Sequence, residues 1–316
     1  MYAGLPAASS AQRRKSEKKF DMDVPKGISQ IRNLPDPGLQ SLWDSIVVNP
    51  ELKRQIHAQG VSNFTLRKKI PRTVLPLHGI ILLVGPPGTG KTSLARGLAN
   101  QVARTLKNGK FKLIEVDPHV LGSSAMGKTQ KAVAELFSQT IAEAAGSGPI
   151  IVLLDEVETL ATDRTKLSLD ANPIDVHRAT DAVLTQLDEL AEKHPDILFL
   201  ATSNFPDAVD AAFASRCDLI VEVPLPNAEA CKQILQDCLA RVGEVFHAIS
   251  AITASPAFPR CAAECVGLDG RAIRKTVANA MAATPEIAVN PNTMTADILQ
   301  AALKAAKASR KKGSAR

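Results

Sequence analysis

The sequence predicts an α/β fold, a parallel sheet covered on both faces by helices, followed by a small all-helical domain. Three observations carry this expectation. Short unbroken apolar runs alternate with amphipathic helical stretches between residues 78 and 223, the pattern of strands buried on both faces. A glycine-rich turn, Gly85-Pro-Pro-Gly-Thr-Gly-Lys-Thr92, lies between the first of these runs and a helix. After Pro224-Leu-Pro226 the strand signals stop and only helical spacing continues.

Residues 1–38 are polar and broken by Pro and Gly, and they are expected to form a mobile N-terminal segment. Leu39 to Ala58 has helical spacing, with Leu42, Trp43 and Ile46 on one side and an interruption at Pro50. His78–Val84 is the first expected strand, and a helix follows in which Leu94, Leu98, Val102 and Leu106 recur every four residues. Phe111–Val116, Pro149–Leu154, Ile197–Thr202 and Leu219–Val223 supply the other four strands, with helices over Val133–Ala145 and Val176–Glu192. In the second region Asn227 is suited to cap a helix running to about Val242, and Asp269 one from Gly270 to Ala283. A third helix spans about Thr295 to Lys307. The expected division is thus a large domain over 39–225, a helical domain over 226–308 and a basic tail over 309–316.

Composition narrows the function. With 316 residues, 45% of them apolar, the chain can fill two cores. Its net charge of +6 raises the question of nucleic acid, but the charge is uneven. Residues 303–316 carry +6 and residues 1–20 carry +4, which leaves −4 for residues 21–302. Aromatic residues are scarce, with Trp43, Tyr2 and nine Phe, too few for a base-stacking platform. Nucleic acid is therefore not an expected partner. No apolar run approaches the roughly 20 residues of a membrane-spanning helix, and no apolar stretch follows the N-terminal charges as in a secretory signal. Cys217, Cys231, Cys238, Cys261 and Cys265 form no CxxC pair. They read as small core hydrophobes, which fits a reducing, cytoplasmic compartment.

The turn at Gly85–Thr92 matches GxxxxGK[ST] and stands where a phosphate cradle needs to be, after a buried strand and at a helix start. Gly85, Pro86, Pro87, Gly88, Thr89, Gly90, Lys91, Thr92 and Ser93 are the expected nucleotide-binding residues. Backbone N–H groups and the helix N-terminus would face the phosphates, Lys91 would contact the β- and γ-phosphates, and the Thr92 hydroxyl would ligate Mg²⁺. Sixty-four residues after Lys91, the strand Ile150–Leu154 ends in Asp155-Glu156. Asp155 would stand beside the metal, leaving Glu156 to orient or deprotonate a water for attack on the γ-phosphate. Glu directly after Asp favours ATP hydrolysis. Thr202-Ser203-Asn204 closes the fourth strand, and ligands of a parallel sheet gather at the carboxyl ends of its strands, so Asn204 is expected to help position that water.

Longer segments carry a family resemblance. Leu42-Trp-Asp-Ser-Ile-Val47, Gly85 to Leu94, Leu154-Asp-Glu-Val-Glu-Thr-Leu160, Ala182-Val-Leu-Thr-Gln-Leu-Asp188, Thr202-Ser-Asn204 and Gly267-Leu-Asp-Gly-Arg-Ala-Ile-Arg-Lys275 resemble the pachytene-checkpoint family of AAA+ ATPases, which remodel HORMA-domain proteins. The resemblance covers roughly residues 40–305. It implies a sheet of order 5-1-4-3-2, a helical lid, and a homo-hexameric ring with ATP between subunits. Arg216 falls where the family has its arginine finger, and Arg271 matches its second sensor. Arg274, at i+3 on the same helix face, reads equally as a surface arginine. The family grips its substrate with a loop after the second strand, here His119–Lys128. Its relatives carry an aromatic pair there, while this chain has Ala125 and Met126. A second pore loop is expected between Ala161 and Ile174.

With 84 residues before Gly85, the chain looks like the compact bacterial members, whose HORMA partners occur with cyclic-oligonucleotide synthases in phage defence. The resulting expectation is an ATP- and Mg²⁺-dependent remodeller that opens a HORMA protein, with a bound nucleotidyltransferase or closure peptide, and silences signalling. The alternatives are a nucleic-acid loader or initiator module and a general protein unfoldase.

Overall fold

The structure, a computed structural model, describes residues 25–107, 109–117, 128–159 and 173–314. Residues 1–24, the gripping-loop positions 119–127 with Ala125 and Met126, and residues 161–172 of the expected second loop lie outside the described residues.

Among the described residues, six strands build one sheet: β1 (Ile28–Leu34), β2 (Ile80–Val84), β3 (Phe111–Val116), β4 (Ile150–Leu154), β5 (Ile197–Ser203) and β6 (Leu219–Glu222), in spatial order β1-β3-β4-β5-β2-β6. The five strands from β2 onward are parallel and stand in the expected 5-1-4-3-2 order. β1 is an addition that corrects the expected mobile segment over 1–38, because it pairs antiparallel with β3 from Ile28↔Val116 to Leu34↔Phe111. Only its two end residues, Ile28 and Leu34, are buried. An edge strand held by backbone bonds needs no apolar alternation, so this one had no periodic signal.

The central strands alternate between two cores. Ile80, Leu82, Val152 and Phe199 face one, with Phe137, Val183 and Leu187 from the helices. Ile81, Leu83, Ile151 and Leu200 face the other, where α1 (Pro37–Ser45), α2 (Pro50–Leu66) and α3 (Lys91–Leu106) pack. Leu94, Leu98 and Val102 of α3 are fully buried, each worth roughly 1.5–3 kcal/mol of transfer from water. Asn49 caps α2 by accepting from Glu51 N, and Pro50 takes the first helical position, so the break at Pro50 separates two helices. α1 approaches α3 closely because residue 97 is glycine: a Cβ there would lie 2.9 Å from Trp43 Cβ.

The other face is covered by α4 (Lys128–Glu135), a π turn over Leu136–Ile141, α5 (Ala142–Gly146) and α6 (Pro173–Lys193); the short α7 (Ala211–Ala214) precedes β6. Beyond β6 lies the helical region, with α8 (Ala228–Gly243), α9 (His247–Ser250), α10 (Phe258–Glu264), α11 (Gly270–Ala280), α12 (Pro285–Val289) and α13 (Ala296–Ser314). Asn227 and Asp269 cap α8 and α11 through Ala230 N and Ala272 N. Cys231, Cys261 and Cys265 are fully buried in its core, and all five cysteines are free. The last helix runs to Ser314 rather than fraying after Lys307, since Ala, Lys and Arg are strong helix formers. Among the described residues no helix is long and apolar enough to cross a membrane.

Candidate active site

The glycine-rich turn leaves β2 and enters α3 through Gly90, whose φ of +92° is readily reached only by a residue without Cβ. No side chain caps α3, which leaves its first N–H groups able to receive an anion. Lys91 folds back over the loop and donates to Gly85 O at 2.8 Å and Pro86 O at 2.9 Å. Burial pushes its ammonium below the usual 10.5, opposed by Glu158 and Asp155.

β4 and β5 end side by side, with Leu154 opposite Ala201, and this register brings Asp155 and Glu156 to Thr202 and Asn204. Asp155 Oδ1 accepts from Thr92 Oγ1 at 2.8 Å and from Thr202 Oγ1 at 2.5 Å. Glu156 N donates to Thr202 Oγ1 at 3.2 Å, and Asn204 Nδ2 donates to Glu156 Oε1 at 3.2 Å. The Asn204 backbone N–H donates to Glu158 Oε1 at 3.1 Å. Glu156 has φ +52°, a left-handed conformation that costs a non-glycine residue about 1–3 kcal/mol and clusters at functional sites.

A cavity of about 520 Å³ opens beside the turn, lined by Gly88, Thr89, Gly90 and Ser93 on one side and Arg271 on the other, with Ile46 and Val48 at an apolar end. Arg271 is therefore brought to the glycine-rich turn by the helical region. Arg274 lines the same cavity, and it is not an unattached surface residue: its Nη2 donates to Ser45 O at 2.9 Å, tying α11 to the C-terminal end of α1.

Arg216 is not brought to this cavity. It lines a separate groove with Arg72, His78, Thr185 and Asp188. Its Nε and Nη2 donate to the two carboxylate oxygens of Asp188 at 2.9 and 2.7 Å, and Nη1 donates to Ala212 O at 2.7 Å. The Arg216 hydrogen bond holds the Asp188 carboxyl below its ordinary range and raises the guanidinium in turn. Burial, then the charge of Arg72, push His78 down, so its ring stays neutral near pH 7.

Sequence reasoning missed three of these groups. Thr202 was visible only as part of Thr202-Ser-Asn204, and its contact with Asp155 follows from register. Asp188 lies in the Ala182–Asp188 segment with no local sign that it meets Arg216. Asp269 was read as a cap alone, although it also packs on the phosphate loop, with its Cγ 2.3 Å from where a Gly88 Cβ would stand.

Comparison with known proteins is consistent with this geometry. The family model described as "ATPase family associated with various cellular activities (AAA)" matches residues 81–225. CD-NTase-associated protein 6 of Pseudomonas aeruginosa is 62% identical over 293 residues, which cover 93% of this chain and 96% of that one. Pachytene checkpoint protein 2 homolog of Oryza sativa subsp. indica is 36% identical over 68% of this chain, which spans about half, 47%, of that relative's length. Among solved structures, a chain of the E. coli MS115-1 HORMA:CdnC:Trip13 complex superimposes with TM-score 0.69 at 21% identity, covering 87% of this chain and 94% of that one. This last likeness is one of fold.

Proposed function

The chain belongs to the pachytene-checkpoint family of AAA ATPases, and from that premise we propose that it works as a ring whose ATP hydrolysis opens a HORMA-domain protein and frees a bound CD-NTase. The relative at 62% identity is named for association with CD-NTases, and the fold is shared with one chain of a solved HORMA:CdnC:Trip13 complex. On this reading the protein switches off a bacterial anti-phage signal and acts in the cytoplasm, a setting in keeping with five free thiols.

The observation that carries the proposal is the division of the machinery. Thr92, Asp155, Glu156 and Asn204 converge within one chain, whereas Arg216 lies in another groove. A charged fork that is held in place but kept from its own phosphate loop suits donation to a neighbour's γ-phosphate.

In this mechanism the Gly85–Ser93 loop and the N-terminus of α3 hold the polyphosphate, and Lys91 exchanges its loop carbonyls for phosphate oxygens. Thr92 and Asp155 offer hard oxygen donors that fit Mg²⁺. When bound, the ion neutralises charge on the phosphate oxygens. Glu156, held by Asn204, orients and accepts a proton from the attacking water. Arg271 follows the phosphates from the helical region, so hydrolysis there is felt by α11.

A nucleic-acid module is not favoured, because Lys307 and Arg310 of the basic end engage Glu264 and Asp269 of the same chain. The test is to add protein and ATP to a purified HORMA–CD-NTase complex. Release of the nucleotidyltransferase by wild type and not by Glu156→Gln is expected; an intact complex under wild-type turnover rejects the proposal.

A further inference from the structure

The basic C-terminal helix is joined to the glycine-rich turn through Asp269. Along α13, Lys307 Nζ meets Glu264 Oε2 and Ala263 O, each at 3.5 Å. Three residues on, one helical turn away, Arg310 Nη1 donates to Asp269 Oδ2 at 2.5 Å. The Asp269 side chain is 13% exposed and has two further engagements. Its Oδ1 caps α11 by accepting from Ala272 N at 2.8 Å, and its carboxylate lies against Gly88, where a Cβ would stand 2.3 Å from Oδ1 and 2.8 Å from Oδ2.

A carboxylate therefore rests on the loop that must receive a polyanion. Left uncompensated, its charge would oppose every phosphate entering the cradle, in a partly desolvated place where Coulomb terms are strong. The same residue sets the N-terminus of α11, which carries Arg271 one residue into the helix.

We propose that Arg310 is a positioning residue of the nucleotide site: it neutralises Asp269 beside the phosphate loop and pins the start of α11, so that the C-terminal helix sets affinity for nucleoside di- and triphosphates. This rests on the reading of Gly85–Ser93 as the phosphate cradle. A guanidinium suits the task because it stays charged at any working pH and approaches a carboxylate with directed N–H groups. The basic end is then a latch on the site.

The two duties of Asp269 can be separated, since asparagine caps helices as well as aspartate but carries no charge. The test measures ADP affinity of the full chain by calorimetry for wild type, Lys91→Ala, Arg310→Gln, Asp269→Asn and the Asp269→Asn/Arg310→Gln double variant, with a thermal unfolding scan of each. Arg310→Gln is expected to weaken ADP binding on the order of tenfold, within the range of coupled neighbouring charges, while the unfolding midpoint stays within a few degrees. On the Asp269→Asn background, Arg310→Gln should cost less than about twofold, because no charge is left to neutralise. The proposal is overturned by wild-type affinity in Arg310→Gln, or by the same penalty with and without the Asp269 charge. Binding by wild type no tighter than by Lys91→Ala would instead reject the cradle reading, and this inference with it.

Discussion

Asn204 donates from Nδ2 to Oε1 of Glu156 at 3.2 Å, across the carboxyl ends of two adjacent parallel strands. The bond fixes a carboxylate whose own backbone is left-handed at φ +52°, so both ends of Glu156 are held while one oxygen is directed by an amide. On the proposed mechanism, a carboxylate held this way is ready to orient water before nucleotide arrives.

Glu156→Gln removes the base but leaves an isostere that Asn204 can still reach. ATP should bind with wild-type affinity while turnover falls on the order of 10²–10⁴-fold, the usual worth of a general base. Nucleotide binding and phosphate release measured on the same preparation check this; turnover near wild type would remove Glu156 from the mechanism.

Arg216 acts in trans if it acts on phosphate at all. Arg216→Ala alone should lose about 10³-fold or more in turnover, as for arginine fingers elsewhere. Mixing it with Glu156→Gln subunits should restore activity above that of either parent, since the intact cradle of one then meets the intact arginine of the other. No recovery at any mixing ratio would show that Arg216 does not serve a neighbour's site.

Gly97 allows α1 to lie on α3 with Trp43 Cβ 2.9 Å from an imagined Cβ. Gly97→Val should overpack this contact and cost about 1–3 kcal/mol. A lower urea midpoint together with a red shift in the emission of Trp43, the single tryptophan, is expected. An unchanged midpoint would mean that the helices separate without loss.

The thiols are protected by burial. Cys217 and Cys265 are pushed up to about 12, and Cys231, Cys238 and Cys261 are raised as well. A raised thiol pKa disfavours the thiolate, so at pH 8 only about one Cys217 or Cys265 in 10⁴ is in the reactive form. Iodoacetamide at pH 8 should label the native chain slowly and reach all five cysteines on unfolding. Rapid labelling of the native protein at Cys265 would contradict the packing of the helical core.

The glycine-rich turn proposed as a phosphate cradle was legible because the chemistry asked of it is local: the glycines, Lys91 and Thr92 must be contiguous for one turn to present N–H groups, an ammonium and a hydroxyl together. Asp155 and Glu156 were legible for a similar reason, as they directly follow a strand of five apolar residues and so stand at the carboxyl end of the parallel sheet, where ligands gather. The strand order followed from the family resemblance, and five of the six strands from their unbroken apolar runs. β1 was not legible, since its partner lies about 80 residues away and its exposed face has no period.

What the sequence by itself determined, then, is every feature encoded by neighbours along the chain: the glycine-rich turn between strand and helix, the acidic strand end, the caps at Asn227 and Asp269, and the amphipathic helices. What only the tertiary structure decided is which distant group each arginine meets, Arg216 the Asp188 carboxylate, Arg274 the Ser45 carbonyl and Arg310 the Asp269 carboxylate. A long charged side chain has no periodic signature, and its partner is chosen by how helices pack rather than by spacing. That is why the same +6 at the C-terminus reads in sequence as a basic tail and in the fold as a helix whose Arg310 meets Asp269 beside the glycine-rich turn.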